Sequence, residues 1–420
     1  MAGKNAAVIG LGYVGLPVAV RAAEVGYKTV AIDVDDRKIA SLLEGKSYVE
    51  DIDSNHVKGL VEEGKLLPTS DWAKLAGFEI AVISVPTPLE DGMPDLSFIE
   101  SAASSLAPHV SKGCTVILES TTYPGTTDDL VASALEAGSG LKAGIDFKLG
   151  YSPERIDPGN PTFKLETTPK IVSGINKESL DAVSSFFADL VKEVVPVSGT
   201  KEAELAKLIE NTFRHINIAL VNELAMLCDG LGIDVWEAID AAATKPFGFM
   251  KFLPGPGVGG HCLPIDPEYL SWQTKRTLGR EFRFVELAND INNHMPLYVR
   301  DRIVALLNQK GKAVKGAKIV LLGVAYKGGT GDVRESPAIA VANALQEWNA
   351  DLVAIDPYVP DRSWPTWLPK ADVDRKNLMG ADLVVLLTPH PQFTAEFVAG
   401  IEAPVLDTRN VIVGENIITL

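Results

Sequence analysis

Short apolar runs recur along the chain, and most are followed by stretches with helical spacing. The first, Ala6-Ala7-Val8-Ile9, passes through Gly10-Leu11-Gly12-Tyr13-Val14-Gly15 into a helix pattern. Thr29–Ile32, Ile80–Val85, Cys114–Glu119, Leu149-Gly150, Lys170–Gly174 and Val194–Val197 continue the series. Strands buried on both faces read as unbroken apolar runs, and strands alternating with helices read as βαβ units of a parallel sheet. Between Asp33 and Ile80 a helical stretch extends through Leu66. From Lys201 to Leu231 there is no proline, and no glycine before Gly230. That predicts one helix of roughly 30 residues, ~45 Å long, able to connect two domains or form a dimer interface. A further helical region covers 281–302. A second strand-and-helix series begins at Lys318–Leu322 and continues at Leu352–Asp356 and Asp382–Leu387. The predicted fold is α/β: two Rossmann-like doubly wound domains joined by a long central helix. The domains divide as 1–198, 199–300 and 301–420.

Composition narrows the function. A chain of 420 residues is too long for one core. Its apolar fraction of 46% and charged fraction of 22% are those of a soluble globular protein. The net charge of −16 argues against nucleic acid and anionic membranes as partners. Three cysteines give no disulfide framework, so a cytoplasmic location is expected. No apolar run reaches the ~18 residues of a transmembrane segment. No metal site is expected.

The pattern G-x-G-x-x-G at Gly10, Gly12 and Gly15 lies between a strand and a helix, and Asp33 ends the next strand. In that setting the glycines make a tight turn, admit a pyrophosphate and pack helix on strand. Asp33 would accept the ribose hydroxyls and repel a 2′-phosphate, so NAD is the expected cofactor. Pro86-Thr87 and Ser120-Thr121 follow strands at the edge where such folds bind ligands. Thr126 and Thr127 are better read as helix caps. Glu154 and Arg155 stand side by side in a proline-rich loop, as a structural ion pair or as functional groups. Lys207, Asn211 and Arg214 share one face of the long helix, as a solvated stripe or as a site. Phe252–Asp266 holds four glycines before His261 and presents one thiol, Cys262, in a loop. Cys114 and Cys228 fit core positions. Lys327 and Arg334 open the second α/β unit, whose first turn lacks the dinucleotide pattern; both suit phosphates. NAD with a loop thiol, a lysine, an amide and a carboxylate fits a dehydrogenase that goes past the aldehyde. A thiolate adds to the aldehyde, a second hydride leaves, and water releases the acid from the thioester.

Several motifs occur in one order: Gly10-Leu-Gly12-Tyr-Val-Gly15, Val85-Pro-Thr-Pro88, Glu119-Ser-Thr121, Ser152-Pro-Glu154, Glu204-Leu-Ala-Lys207-Leu-Ile-Glu-Asn211, Gly257-Val-Gly-Gly-His-Cys262 and Gly331-Asp-Val-Arg334-Glu-Ser336. Over essentially the whole chain this resembles the UDP-glucose/GDP-mannose dehydrogenase family, which oxidises the C6 alcohol of nucleotide sugars to a carboxylate with NAD. The resemblance implies Cys262 as nucleophile and Glu154 as the base for the hydrolytic water. It implies Lys207 and Asn211 as oxyanion donors, with Thr121 and Asp266 holding water. Cofactor contacts would come from Gly10, Gly12, Tyr13, Val14, Gly15, Asp33, Pro86, Thr87, Thr121, Lys327 and Arg334. Substrate contacts would come from Glu154, Arg155, Lys207, Asn211, Arg214, Phe252, Gly255, Gly257, Gly259, Gly260 and Lys327. Tyr151-Ser-Pro-Glu-Arg-Ile-Asp-Pro-Gly-Asn160 is most similar to the N-acetylhexosamine branch. The expected substrate is UDP-N-acetylglucosamine, serving surface polysaccharide or glycoconjugate synthesis. The same chemistry on UDP-N-acetylmannosamine, UDP-N-acetylgalactosamine or UDP-glucose is the alternative. Arg214 and His215 are candidates for reading the 2-acetamido group or the sugar carboxylate. A homodimer or higher homo-oligomer is expected. A two-electron dehydrogenase and a non-catalytic nucleotide-sugar-binding protein are the rival classes.

Overall fold

The computed structural model describes residues 4–49, 51–90, 92–156, 162–260 and 263–420. The chain divides into two compact units, Met1–Glu210 with Glu268–Gln273, and Asn211–Pro267 with Thr274–Leu420.

The first unit contains β1 (Asn5–Ile9), β2 (Lys28–Ile32), β3 (Leu66–Thr69), β4 (Ile80–Ile83), a hairpin of β5 (Leu89–Glu90) and β6 (Met93–Pro94), then β7 (Thr115–Leu118), β8 (Lys148–Tyr151), β9 (Lys170–Gly174) and β10 (Val194–Pro196). The sheet order is β10-β9-β8-β7-β4-β1-β2-β3. All neighbours are parallel except β8 and β9. Successive residues of β1 serve opposite faces. Ala6 and Val8 join one core with Leu16 and Phe186, and Ala7 and Ile9 join another with Leu106 and Leu135.

Two features depart from the sequence reading. The stretch expected to stay helical through Leu66 holds two helices, Asp36–Leu43 and Ser54–Glu62, followed by strand β3. Pro68 cannot continue a helix, but on a strand with a neighbour on one side its missing N–H is harmless. It pairs with Ala31 at the sheet edge. Strand β9 runs antiparallel to β8 because no helix, among the described residues, occupies the link that a parallel crossover would need.

In the second unit, β11 (Lys318–Leu322), β12 (Asp351–Ile355), β13 (Lys370–Ala371), β14 (Leu383–Leu386), β15 (Val405–Asp407) and β16 (Ile417–Thr419) form a wholly parallel sheet, ordered β13-β12-β11-β14-β15-β16. The two units therefore repeat the Rossmann-like arrangement. The long helix is Thr200–Leu231, 32 residues that run on through Gly230. A second long helix, Arg283–Gln309, carries Pro296 buried inside it. Among the described residues no helix is long and apolar enough to cross a membrane.

Candidate active site

The turn after β1 uses its three glycines differently. Gly10 has φ +90°, and a Cβ there would lie 2.3 Å from the Ser84 carbonyl oxygen. A Cβ on Gly15 would lie 1.9 Å from the Gly10 oxygen, so helix and turn touch backbone to backbone. A Cβ on Gly12 would meet nothing within 4 Å. That is the open approach a pyrophosphate needs. The following helix, Gly15–Glu24, has Val14 at its N-cap, no side-chain cap and no acid in its first turn. Its amide end suits an anion. Asp33 is buried and accepts from the Leu11 amide (2.8 Å), the Asp35 amide (2.9 Å) and Lys38 Nζ (2.8 Å). It thus ties the turn to β2. Tyr13 is exposed, Pro86 is exposed, and Thr87 is buried with its carbonyl accepting from the Tyr269 hydroxyl. These residues fit an adenine dinucleotide.

A cluster of charges lies at the ends of β7 and β8. Glu154 and Arg155 are neighbours in sequence but do not form the ion pair offered as one reading. Glu154 faces Lys207, with Oε2 to Nζ at 3.9 Å, and also accepts from the Ile156 amide. Arg155 pairs with Glu210 at 2.7 Å and donates to the Pro169 carbonyl at 2.6 Å. Lys207 and Glu210 stand one turn apart on the long helix. Both Glu154 and Lys207 are buried. Behind them is a second buried pair without a predicted role: Lys170 Nζ donates to Glu119 Oε1 at 2.5 Å and to the Pro153 carbonyl at 2.9 Å. Burial pushes the Glu119 carboxyl up, against the pull of Lys170. A lysine opening an apolar run reads as a solvent-facing strand end, so nothing in the sequence marks it.

Thr121, half-buried, follows Ser120, whose hydroxyl bridges both backbone groups of Val85 at 2.9 and 2.8 Å. Thr126 and Thr127 were expected to cap the next helix. That helix starts with a π turn, Thr127–Val131, continues as Ala132–Ser139, and receives no cap from either hydroxyl. Glu204 of the long helix takes the position instead. Its carboxylate accepts from the Gly125 amide (2.6 Å), the Thr127 amide (2.9 Å) and the Thr127 hydroxyl (2.7 Å). Burial raises the Glu204 carboxyl to about 7 despite these bonds.

In the second unit Asn211 Nδ2 donates to Asp266 Oδ2 at 2.5 Å, and both residues are buried. Arg214 is exposed while His215 is buried, so the predicted Lys207-Asn211-Arg214 stripe does not share one environment. His215 joins a chain of amides. Its Nε2 meets Asn289 Oδ1 at 2.7 Å, and Asn292 Nδ2 approaches Nδ1 at 3.4 Å and the His215 carbonyl at 3.3 Å. Asn222 Nδ2 donates to Asn292 Oδ1 at 2.9 Å, and Asn222 Oδ1 accepts from the Gly255 amide at 3.0 Å. Burial pulls the His215 pKa down. The chain ends on the glycine loop. Phe252 packs edge-on against Phe213 at 5.8 Å between centroids. Added Cβ atoms would meet Arg409 from Gly255 (2.2 Å), Pro337 from Gly257 (3.0 Å), the Glu335 carbonyl from Gly259 (2.6 Å) and the Tyr326 ring from Gly260 (2.7 Å). These glycines thus seat the loop on protein. His261 and Cys262 lie outside the described residues. Arg409 sits in a polar turn that no motif singles out. Lys327 is half-buried, and Arg334 is exposed and bonded to Asp332.

The second unit repeats the strand-end acid. Asp356 accepts from the amides of Val324 (2.8 Å), Ala325 (3.0 Å), Tyr358 (2.9 Å) and Val359 (3.1 Å), and its Oδ2 lies 2.9 Å from His390 Nε2. His390 Nδ1 accepts from the Gly329 amide at 3.1 Å, which leaves the ring proton on Nε2 to donate to Asp356. Among the described residues no group of three His, Cys, Asp or Glu side chains could hold a metal.

Comparison with known proteins gives three family matches in order. Residues 4–191 match the NAD binding domain of the UDP-glucose/GDP-mannose dehydrogenase family, 201–294 its central domain and 320–414 its UDP binding domain. A UDP-N-acetyl-D-mannosamine dehydrogenase of Pyrococcus horikoshii is 36% identical over 389 residues, 92% of this chain and 90% of that protein. A UDP-N-acetyl-D-glucosamine 6-dehydrogenase of Pseudomonas aeruginosa is 36% identical over 357 residues, 84% of this chain and 82% of that protein. The solved structure of a UDP-D-ManNAc dehydrogenase from Pyrococcus horikoshii superposes with a TM-score of 0.89 at 34% identity, covering 99% of both chains.

Proposed function

Because the chain belongs to the UDP-glucose/GDP-mannose dehydrogenase family and carries its NAD-binding and UDP-binding domains, we propose that it oxidises the C6 alcohol of a UDP-N-acetylhexosamine to the uronate in two steps. The observation that carries this reading is the buried Glu154 carboxylate facing the buried Lys207 ammonium at 3.9 Å, at a strand's carboxyl end. A buried base beside a buried cation is what thioester hydrolysis asks of a protein.

NAD, held at the Gly10–Gly15 turn and Asp33, supplies the hydride acceptor for each oxidation. Cys262 adds its thiolate to the C6 aldehyde, giving a thiohemiacetal whose oxidation leaves a thioester. Lys207 and Asn211 donate to the oxyanion; loss of one such donor costs ~10²–10³ in rate. Glu154 takes a proton from the water that attacks the thioester, and the uronate and the free thiol result. Thr121 and Asp266 orient that water, and Asp266 is itself bonded to Asn211. Arg155, Phe252, Lys327 and the loop glycines bind the nucleotide sugar, with Arg409 added to the set by its contact with Gly255. Arg334 and Lys327 meet phosphates. Arg214, exposed on the long helix, is the better candidate for reading the 2-acetamido group, since His215 is committed to amides.

The test is NADH formed per limiting sugar. We expect two from a UDP-N-acetylhexosamine, few from UDP-glucose, and none from the Cys262→Ala protein. UDP-N-acetylglucosamine and UDP-N-acetylmannosamine are run side by side, since relatives of equal identity carry each name. One NADH per sugar would overturn the thioester route. A homodimer is part of the same reading: Leu220, Leu224, Leu227 and Leu231 are exposed along the long helix at helical spacing. A monomeric mass in light scattering would remove it. A cytoplasmic location fits soluble NAD and a UDP-sugar.

A further inference from the structure

We infer that Lys170 is a positioning residue, which holds the loop carrying Glu154 and keeps Glu119 from competing for Lys207; the inference rests on the reaction proposed above.

The loop after β8 is fastened to the start of β9 on both sides of Glu154. The Ser152 hydroxyl donates to the Ile171 carbonyl at 2.7 Å, Lys170 Nζ to the Pro153 carbonyl at 2.9 Å, and Arg155 to the Pro169 carbonyl at 2.6 Å. Residues 152, 153 and 155 are thus tied to 169–171, and the Glu154 side chain turns to Lys207. Of these ties only that of Lys170 carries a charge into the core, its side chain 4% exposed. An ammonium has three donors. Two are used on Glu119 and Pro153, and the group lies 4.9 Å from the centre of the Phe187 ring.

Glu119 explains why the tie is a lysine. Its side chain is fully buried, and Oε2 has no partner among the described residues. Beyond burial and Lys170, the charge of Glu154 raises its carboxyl pKa and that of Lys207 lowers it. Lys170 neutralises Glu119. Without that ammonium, Glu119 would compete with Glu154 for Lys207. Stability alone does not call for the arrangement, because well-packed apolar residues replace buried ion pairs at little or no loss. Thr121, two residues after Glu119, places the same pair under the other water-holding loop.

The experiment is a rapid-mixing measurement of NADH in Lys170→Met, Lys170→Met/Glu119→Gln and Lys170→Arg. Both hydrides leave before water attacks, so a defect confined to Glu154 spares the two oxidations of the first turnover. In Lys170→Met we expect a burst of two NADH per active site, then a steady rate down ~10²-fold, the scale of a misplaced group. The thioester should accumulate as a mass increase on the enzyme, with KM for NAD changed less than about twofold. The double variant removes both charges and guards against misfolding. It should keep the burst and recover about tenfold of the steady rate, the remaining deficit reporting the lost tie to Pro153. Lys170→Arg should restore most of the rate. A burst that shrinks in step with the steady rate would mean a structural role only, and unchanged turnover in the double variant would equally overturn the inference. If wild type itself yields one NADH per sugar, the parent reaction fails first. With two from wild type and none from Cys262→Ala, the Lys170 variants judge this inference alone.

Discussion

Asp33 and Asp356 stand at the same place in two sheets, at the carboxyl end of the strand beside the first. Asp33 receives one amide, and Asp356 two, from the turn that follows that first strand. Gly10 and Gly323 repeat each other too: a Cβ on Gly10 would strike the Ser84 carbonyl, and one on Gly323 would lie 2.6 Å from the Thr388 carbonyl. The difference is in what is left over. A carboxylate has about four lone-pair sites. Asp33 accepts three bonds, one of them from a lysine that can swing away. Asp356 accepts from four amides and an imidazole. One acid retains capacity for a ribose, beside an open backbone at Gly12. The other is consumed in holding its own turn. The same frame yields a dinucleotide site or a closed structural knot according to whether a strand-end acid is saturated from within.

The largest effect that would break this contrast belongs to Asp356→Ala. It strands four amides and a buried imidazole, and should destabilise by about 3–5 kcal/mol. Denaturant midpoints should fall while NAD affinity in calorimetry stays within about twofold; an equal loss of NAD affinity would contradict the division of labour. Next comes pH, where the units respond in opposite senses. Glu204 in the first unit titrates at about 7 when folded, against 4.5 ordinarily. Between those values the folded form holds more protons, so stability falls as pH rises from 4.5 to 7, by about 3 kcal/mol in full. For Asp356 burial pushes upward, but His390 and the amides outweigh it and hold the carboxyl below its ordinary 3.8. Its contribution is complete above that value and is lost only as acid is added below it. Unfolding measured across pH 3–8 should show both limbs, and Glu204→Gln should flatten the upper one alone. A slope surviving in Glu204→Gln would assign it elsewhere.

Asp33→Ala should be milder for stability and selective for ligand. With Lys38 left to meet a 2′-phosphate, the preference for NAD over NADP should drop about tenfold, or ~1.4 kcal/mol, read as a ratio of kcat/KM. An unchanged ratio would remove Asp33 from the ribose. The smallest and sharpest change is Gly12→Ala. Its methyl meets no protein atom, so stability should hold within about 0.5 kcal/mol while KM for NAD rises several-fold. Gly15→Ala, forced against the Gly10 oxygen, should instead unfold more easily; equal stabilities for the two variants would negate the distinction between approach and packing.

Much of this was legible in the sequence where a pattern is local. The turn glycines, the long apolar strands and the unbroken helix all rest on neighbours in the chain. What was not legible depends on partners far apart. Lys170 and Glu119 are 51 residues apart, and neither has a periodicity that announces a buried pair. The helix stripe was phased slightly off. At about 100° per residue, Asn211, His215 and Asn222 fall about 40–80° round from Lys207, and Arg214 falls about 20° the other way. The buried polar face therefore includes His215 and leaves Arg214 exposed. Strands of two or three residues, such as β13, β15 and β16, are too short for alternation to show. The glycine loop was clear from its composition, although the packing of its glycines against Tyr326 and Pro337 was not.

That packing bears on which sequences can replace this one. Gly260 and Tyr326 occupy one volume, with the ring where a side chain at 260 would go, and Gly255 and Arg409 share another. Neither member of a pair is free to drift alone. A relative that places a side chain at the position of Gly260 must carry something smaller than tyrosine at the position of Tyr326, and a large residue opposite Gly255 must cost the arginine. Substitutions at these positions are expected to travel in couples, so the spacing of this glycine loop is written in residues more than sixty positions away.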